Sequence, residues 1–255
     1  MTAPKQPMRV VIPLDSQAKT SWDHALAYAK KIADSSQGQI KKIVLLTHTK
    51  SQITGTALGS HIGSTAAKTL NSGGVIALGG GVALSYQTMR TMPMILRDTV
   101  IITFFAEPKM LDYVDGLMPV SGVVVVPDLA GGADSWIARW NPIVHGVAPS
   151  QPTTLIADKT VEAALENISS MINLSHGALN PRDKGYADEI LRILRAKGHS
   201  IDAAQAKSWA IRRGWKVSAA DELAALAVKI WAMKSKPSLT KFHNPEGRYN
   251  RWRGE

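Results

Sequence analysis

Five groups of residues in this chain have the types and positions to hold a small polar ligand, each directly after a short apolar run. They are Asp15 and Ser16, Thr47 and His48, Gly79, Gly80 and Gly81, Glu107, and Asp128 with Gly131 and Gly132. Carboxylates such as Asp15 and Asp128 accept hydrogen bonds from sugar hydroxyls. Glycines let a phosphate approach backbone N–H groups at the start of a helix. This chemistry predicts a nucleotide-like ligand at Asp15, Ser16, Gly79, Gly80, Gly81, Asp128, Gly131 and Gly132. The simpler alternative is that the glycines only make tight turns and that Asp15 caps the turn after it.

A second set of residues suits a polyanion. Lys207, Arg212, Arg213 and Lys216 gather around Gly214. Lys234, Lys236, Lys241, Arg248, Arg251 and Arg253 follow, with Tyr249 and Trp252 among them. Cations interleaved with aromatic rings suit DNA or RNA, with charge on phosphate and rings on bases. The competing reading is that the aromatics pin this stretch to its own domain or to a partner subunit in a homo-oligomer. The helices flanking Gly214 outline a helix-turn-helix, but Asp221 and Glu222 would bring acid to the second helix's N-terminus, where phosphate would meet it. Trp209, Trp215 and Trp231 read as core residues of that bundle.

Catalytic and metal motifs are thin. The seven histidines include no i, i+4 pair, and there is no G-x-S-x-G, G-x-G-x-x-G or P-loop pattern. With no cysteine, disulfides, thiolate metal sites and a cysteine nucleophile are excluded, and the composition fits the reducing cytoplasm. Met1–Met8 has no long apolar run, so no secretion signal is read, and no stretch is apolar enough to span a membrane. The glycosylation pattern at Asn167-Ile168-Ser169 and Asn173-Leu174-Ser175 is read as a chance match.

The elements that must position these groups follow from hydrophobic patterning. Runs at 9–14, 43–46, 75–78, 100–105 and 123–126 are short and apolar without alternation, as parallel strands buried on both faces are. Helical stretches separate them: 20–32 behind a capping-box spacing at Thr20–Asp23, 59–70, 82–89, 109–117 and 134–140. The prediction is a Rossmann-like, doubly wound α/β domain of about five parallel strands over residues 1–148. Strand orders 2-1-3-4-5 and 3-2-1-4-5 would both bring ligands to the carboxyl ends of the strands. Val11-Ile12-Pro13-Leu14-Asp15 followed by Ala25–Ala29 resembles the opening of universal stress proteins, which implies the same α/β architecture. That family's glycine-rich ATP signature is not evident here.

Pro142, Pro149 and Pro152 mark a change of architecture. Beyond them the strand signal ends, and a small α-helical domain is predicted over 149–233, with helices at 161–172, 186–196, 202–213 and 219–233. Residues 234–255 show no periodicity and read as a basic tail.

The formal net charge is +10, with 13 Lys/Arg against 9 Asp/Glu in residues 1–150 and 17 against 11 in 151–255. This balance favours a polyanionic partner. The leading reading is a non-catalytic, nucleic-acid-associated or regulatory protein with a nucleotide-like ligand at the strand ends. The alternatives are an enzyme acting on a nucleotide or phosphorylated metabolite, with Asp15, His48 and Asp128 in polar roles, and a scaffold that uses the α/β domain for assembly.

Overall fold

The computed structural model describes residues 6–117, 119–173 and 177–255, so Leu174, Ser175 and His176 lie outside the described residues. The chain divides into two compact units, Met1–Pro152 and Thr153–Glu255. None of the helices of the described residues is long and apolar enough to cross a membrane.

The first unit is α/β with a seven-stranded, mostly parallel sheet, two strands more than the sequence predicts. The strands are β1 (Met8–Val11), β2 (Lys42–Thr47), β3 (Ile76–Ala77), β4 (Ala83–Thr88), β5 (Thr99–Ala106), β6 (Gly122–Pro127) and β7 (Ile143–Val144). Their order is β3-β4-β2-β5-β6-β1-β7, with only the β3–β4 pair antiparallel. The first strand thus lies between β6 and β7, not beside the second strand as both predicted orders have it.

Every residue of β5 and β6 is buried, which is why those segments read as unbroken apolar runs. One face of the sheet packs α1 (Lys19–Asp34), α2 (Gln52–Gly55), α3 (Ala57–Ile62) and α4 (Ser64–Asn71). Trp22, Ala25, Ala29 and Ile32 form the buried stripe of α1 at helical spacing. Gly122 lets that helix come close, since a Cβ there would lie 3.0 Å from Ile32 Cγ2. The other face packs α5 (Pro108–Asp115), α6 (Asp134–Trp140) and the 89–98 connection, which contributes Met92 and Leu96.

Several local expectations change. The capping box at Thr20–Asp23 does not form: α1 begins at Lys19 without a side-chain cap, and Asp23 pairs with Lys19 at 2.7 Å instead. The single helix at 59–70 is broken into α3 and α4 at Gly63, whose φ of 98° a helix cannot hold. The segment 82–89 is strand β4, with Leu84, Tyr86 and Thr88 buried in alternation. In β5, Phe105 takes a φ of 57° at a bulge against β6. The bulge puts Phe104 and Phe105 on the same face, with their rings 5.0 Å apart.

The second unit is helical: α7 (Lys159–Met171), α8 (Pro181–Ala196), α9 (Ala203–Arg212), α10 (Val217–Trp231) and α11 (Pro245–Arg253). Asp158, Asn180 and Asp202 cap α7, α8 and α9 through their side chains. Helix α9 starts from Asp202, and α10 starts at Val217, two residues earlier than the predicted start at 219, with no side-chain cap from Lys216. The predicted tail is corrected too, because α11 packs on α7 and α8 as part of the unit.

Candidate functional site

Chain direction over the sheet decides where ligands fit. From β1 the chain passes over the α1 face to β2. From β6 it passes over the opposite face, through α6, to β7. Neighbouring β6 and β1 therefore send their connections to opposite faces, which opens a crevice between their carboxyl ends.

That crevice exists, with a volume of about 440 Å³. Asp15, Asp128 and Gly131 line it, together with Asp134 and the apolar Leu14, Leu129 and Ile137. Ser16 is buried beside it, its hydroxyl directed at the Asp128 carbonyl oxygen at 3.5 Å. Gly131 (φ 76°) and Gly132 make the turn into α6, with Gly132 N–H donating to Leu129 O and Asp134 N–H to Gly131 O, both at 3.0 Å. One Asp15 carboxylate oxygen accepts the Gln17 N–H at 2.8 Å, so Asp15 caps the following turn while lining the crevice.

Asp15, Ser16, Asp128, Gly131 and Gly132 are thus brought together. Gly79, Gly80 and Gly81 are not. They form the turn between antiparallel β3 and β4, with φ values of 82°, 61° and 75°, at the opposite edge of the sheet. No helix starts after them, so the predicted strand–helix phosphate loop is absent and the tight-turn reading describes them. Asp134 was missed because it reads as the first residue of a helix. The crevice lining holds three carboxylates and no cation, a chemistry that suits hydroxyl and amine donors better than phosphate.

His48 stands at the carboxyl end of β2, in a different cavity. Of the three residues given polar roles in the enzyme reading, Asp15 and Asp128 share one cavity and His48 lines another. Among the described residues, no group of three or more His, Cys, Asp or Glu side chains could hold a metal ion.

In the helical unit most of the predicted nucleic-acid contacts are engaged internally. Lys207 pairs with Asp221 at 2.6 Å, Arg213 with Glu166, and Arg212 donates to Thr153 O at 3.2 Å. Arg248 pairs with Glu189 at 2.9 Å and sits 5.1 Å from the Tyr186 ring centre. Trp252 is buried, with its indole N–H donating to Asn167 Oδ1 at 3.3 Å. Arg253 pairs with Glu255 at 2.7 Å. Lys216, Lys234, Lys236, Lys241 and Arg251 are exposed and, among the described residues, lack a carboxylate partner. Trp209 and Trp215 are buried in the bundle, as expected.

A hydrogen-bonded chain fixes α11. Asp158 Oδ2 meets His199 Nδ1 at 2.5 Å, and His199 Nε2 meets the Tyr249 hydroxyl at 2.9 Å. Burial works to raise the Asp158 carboxyl. The His199 ring and the N–H groups of Val161 and Thr160 overcome it and leave its pKa below the ordinary value. A carboxylate depressed in the folded state stabilises above its unfolded pKa and loses that contribution as pH falls through its folded one. The helical unit's denaturant midpoint should therefore fall below about pH 4. Asp158→Asn, which keeps a cap of equal quality, should flatten that fall. Equal slopes in the two proteins would show that Asp158 does not carry it.

Residues 157–253 match the family model described as Domain of unknown function (DUF1889), a stretch that takes in α7 to α11. No curated protein and no solved structure matches the chain.

Proposed function

We propose that this chain is a non-catalytic, cytoplasmic regulatory protein that associates with nucleic acid and responds to a nucleotide-like ligand. The ligand occupies the crevice between the carboxyl ends of β6 and β1, and the helical unit meets DNA or RNA through Lys216, Lys234, Lys236, Lys241 and Arg251. The observation that carries this reading is the convergence of Asp15, Asp128 and Asp134 on one cavity at a point where the chain direction reverses. Those carboxylates suit ribose hydroxyls and base amino groups. The five exposed cations without carboxylate partners suit phosphates, and the cysteine-free composition suits a reducing compartment.

Two measurements test the two halves. Adenosine and guanosine, which carry no phosphate, should raise the melting temperature of the α/β unit, and Asp15→Asn with Asp128→Asn should abolish the shift. Fluorescence anisotropy of labelled single-stranded and duplex nucleic acid should show salt-dependent binding. Replacing Lys234, Lys236, Lys241 and Arg251 with Gln should lower the slope of log affinity against log salt by about 0.7–0.9 for each phosphate that is no longer neutralised. An unchanged slope would remove the nucleic-acid half, and no nucleoside response would remove the ligand half. The loss of both would leave the scaffold reading.

A further inference from the structure

A second cavity of the α/β unit lies away from the β6–β1 crevice. It opens between the carboxyl ends of β2 and β4 and has a volume of about 610 Å³. The topology creates it as it does the other: β2 leads into α2–α4 on one face, and β4 leads into the 89–98 connection on the other. Three strand spacings, about 14 Å, separate the middles of the two openings along the sheet edge.

The electrostatic character of this cavity is the reverse of the first. His48, Lys50 and Arg90 line it, with no acidic residue. Lys50 and Arg90 are exposed and, among the described residues, have no carboxylate partner. Leu70 and Tyr86 form an apolar wall, and both are buried. Tyr86 is fixed there, its hydroxyl 2.7 Å from Thr47 Oγ1 and donating to Thr49 O at 3.0 Å. Burial holds its phenol above the ordinary pKa, so this wall stays uncharged.

The end of α4 brings Asn71 to the cavity. The terminal carbonyls of that helix are engaged locally: Lys68 O, Thr69 O and Leu70 O accept the N–H groups of Ser72, Gly74 and Gly73 at 2.9–3.0 Å. The Asn71 side-chain oxygen, however, is buried with no hydrogen-bond partner. A buried acceptor left unpaired costs about 1–3 kcal/mol, and a ligand donor would remove that cost.

We propose that this cavity is a second, separate binding site for a phosphorylated small molecule that also presents a hydrogen-bond donor, of the nucleoside monophosphate class. The phosphate meets Lys50, Arg90 and His48. The ring lies against Leu70 and Tyr86, and an amino or ring N–H donates to the Asn71 oxygen. The volume is in the range of small-molecule sites, about 300–1,000 Å³.

Calorimetric titration of the full chain with inorganic pyrophosphate, ribose phosphate and adenosine monophosphate tests this. All three should bind, adenosine monophosphate most tightly. Lys50→Gln and Arg90→Gln should each weaken all three by about tenfold without changing stability, because both side chains are exposed. Asn71→Ala should bring adenosine monophosphate down to the affinity of ribose phosphate and leave pyrophosphate unchanged. Asp15→Asn and Asp128→Asn should leave pyrophosphate and ribose phosphate unchanged, which separates this site from the β6–β1 crevice. Absence of binding at about millimolar ligand, or wild-type binding by the Lys50/Arg90 double variant, overturns the proposal. So does a loss that follows Asp15 and Asp128 instead. Wild-type discrimination in Asn71→Ala overturns the donor contact.

Discussion

Asp115→Ala is expected to destabilise the α/β unit by about 3–5 kcal/mol, against a typical total stability of about 5–15 kcal/mol. Asp115 sits at the end of α5, with its side chain 2% exposed. Arg139, itself 4% exposed, donates to it at 2.6 Å and to Asp112 at 2.9 Å. The indole N–H groups of Trp136 and Trp140 both donate to Asp115 at 3.0 Å. Arg9 lies over the Trp140 ring, 3.6 Å from its centre. Burial lowers the Arg9 pKa to about 10, the Asp115 charge works against that, and the Arg139 charge adds to it. Burial likewise pushes the Asp115 carboxyl up, while Arg139 and the two indoles pull it back down. One carboxylate thus offsets the charges of the buried Arg139 and the half-buried Arg9 and satisfies two indoles.

Removing that carboxylate takes away the 2.6 Å partner of the buried Arg139 and the acceptor of both indole N–H groups. Urea unfolding followed by tryptophan fluorescence should show the midpoint of the α/β unit fall sharply. Asp112→Ala, which leaves the Asp115 contacts in place, should cost less. Asp23→Ala, at the exposed Lys19 pair, should cost no more than about 1 kcal/mol. If Asp115→Ala costs no more than Asp23→Ala, the cluster does not hold α5 and α6 to the sheet.

This cluster also shows the limits of sequence reading. Nothing in Arg9, Asp112, Asp115 or Arg139 as residues announces that they meet, because the pairing depends on where α5 and α6 land. The unbroken runs of β5 and β6 were legible because both of their faces are covered, and α6 (Asp134–Trp140) matches its predicted span. The β3–β4 hairpin was not. An apolar run followed by three glycines reads equally as a strand–helix loop or a hairpin turn, and the alternation of Leu84, Tyr86 and Thr88 was the signal that decides it. That misreading also concealed the β2–β4 cavity, since the residues leading to Arg90 were then read as a helix rather than as a strand with its carboxyl end at Thr88. Strand order, with β1 between β6 and β7, leaves no trace in local patterning. It nevertheless brought Asp15 and Asp128 together, because both predicted orders and the observed one bring the carboxyl ends of parallel strands to one edge.

Trp252→Ala should cost the helical unit about 3–5 kcal/mol, enough to lower the melting temperature of a domain of this size by about 12 °C or more. Trp252 is 6% exposed. Asn167 Oδ1 accepts both its indole N–H, at 3.3 Å, and the Tyr186 hydroxyl, at 3.0 Å, which ties α11 to α7 and α8. Arg248 lies between the Tyr186 and Trp252 rings and pairs with Glu189, while Lys197 pairs with Glu246 at 2.5 Å. Deleting the last eleven residues would uncover the same faces. Loss of nucleic-acid binding in such a truncation would then report an unfolded domain as readily as a missing cation. Binding has to be dissected instead with Lys234→Gln, Lys236→Gln, Lys241→Gln and Arg251→Gln, whose side chains are exposed and whose replacement leaves the Trp252 packing intact. The two classes of variant should separate: Trp252→Ala lowers the melting temperature, and the four charge variants lower affinity at unchanged melting temperature. A Trp252→Ala protein that melts like the wild type but binds nucleic acid less well would assign the ring to stacking on bases and return α11 to the role of a free arm.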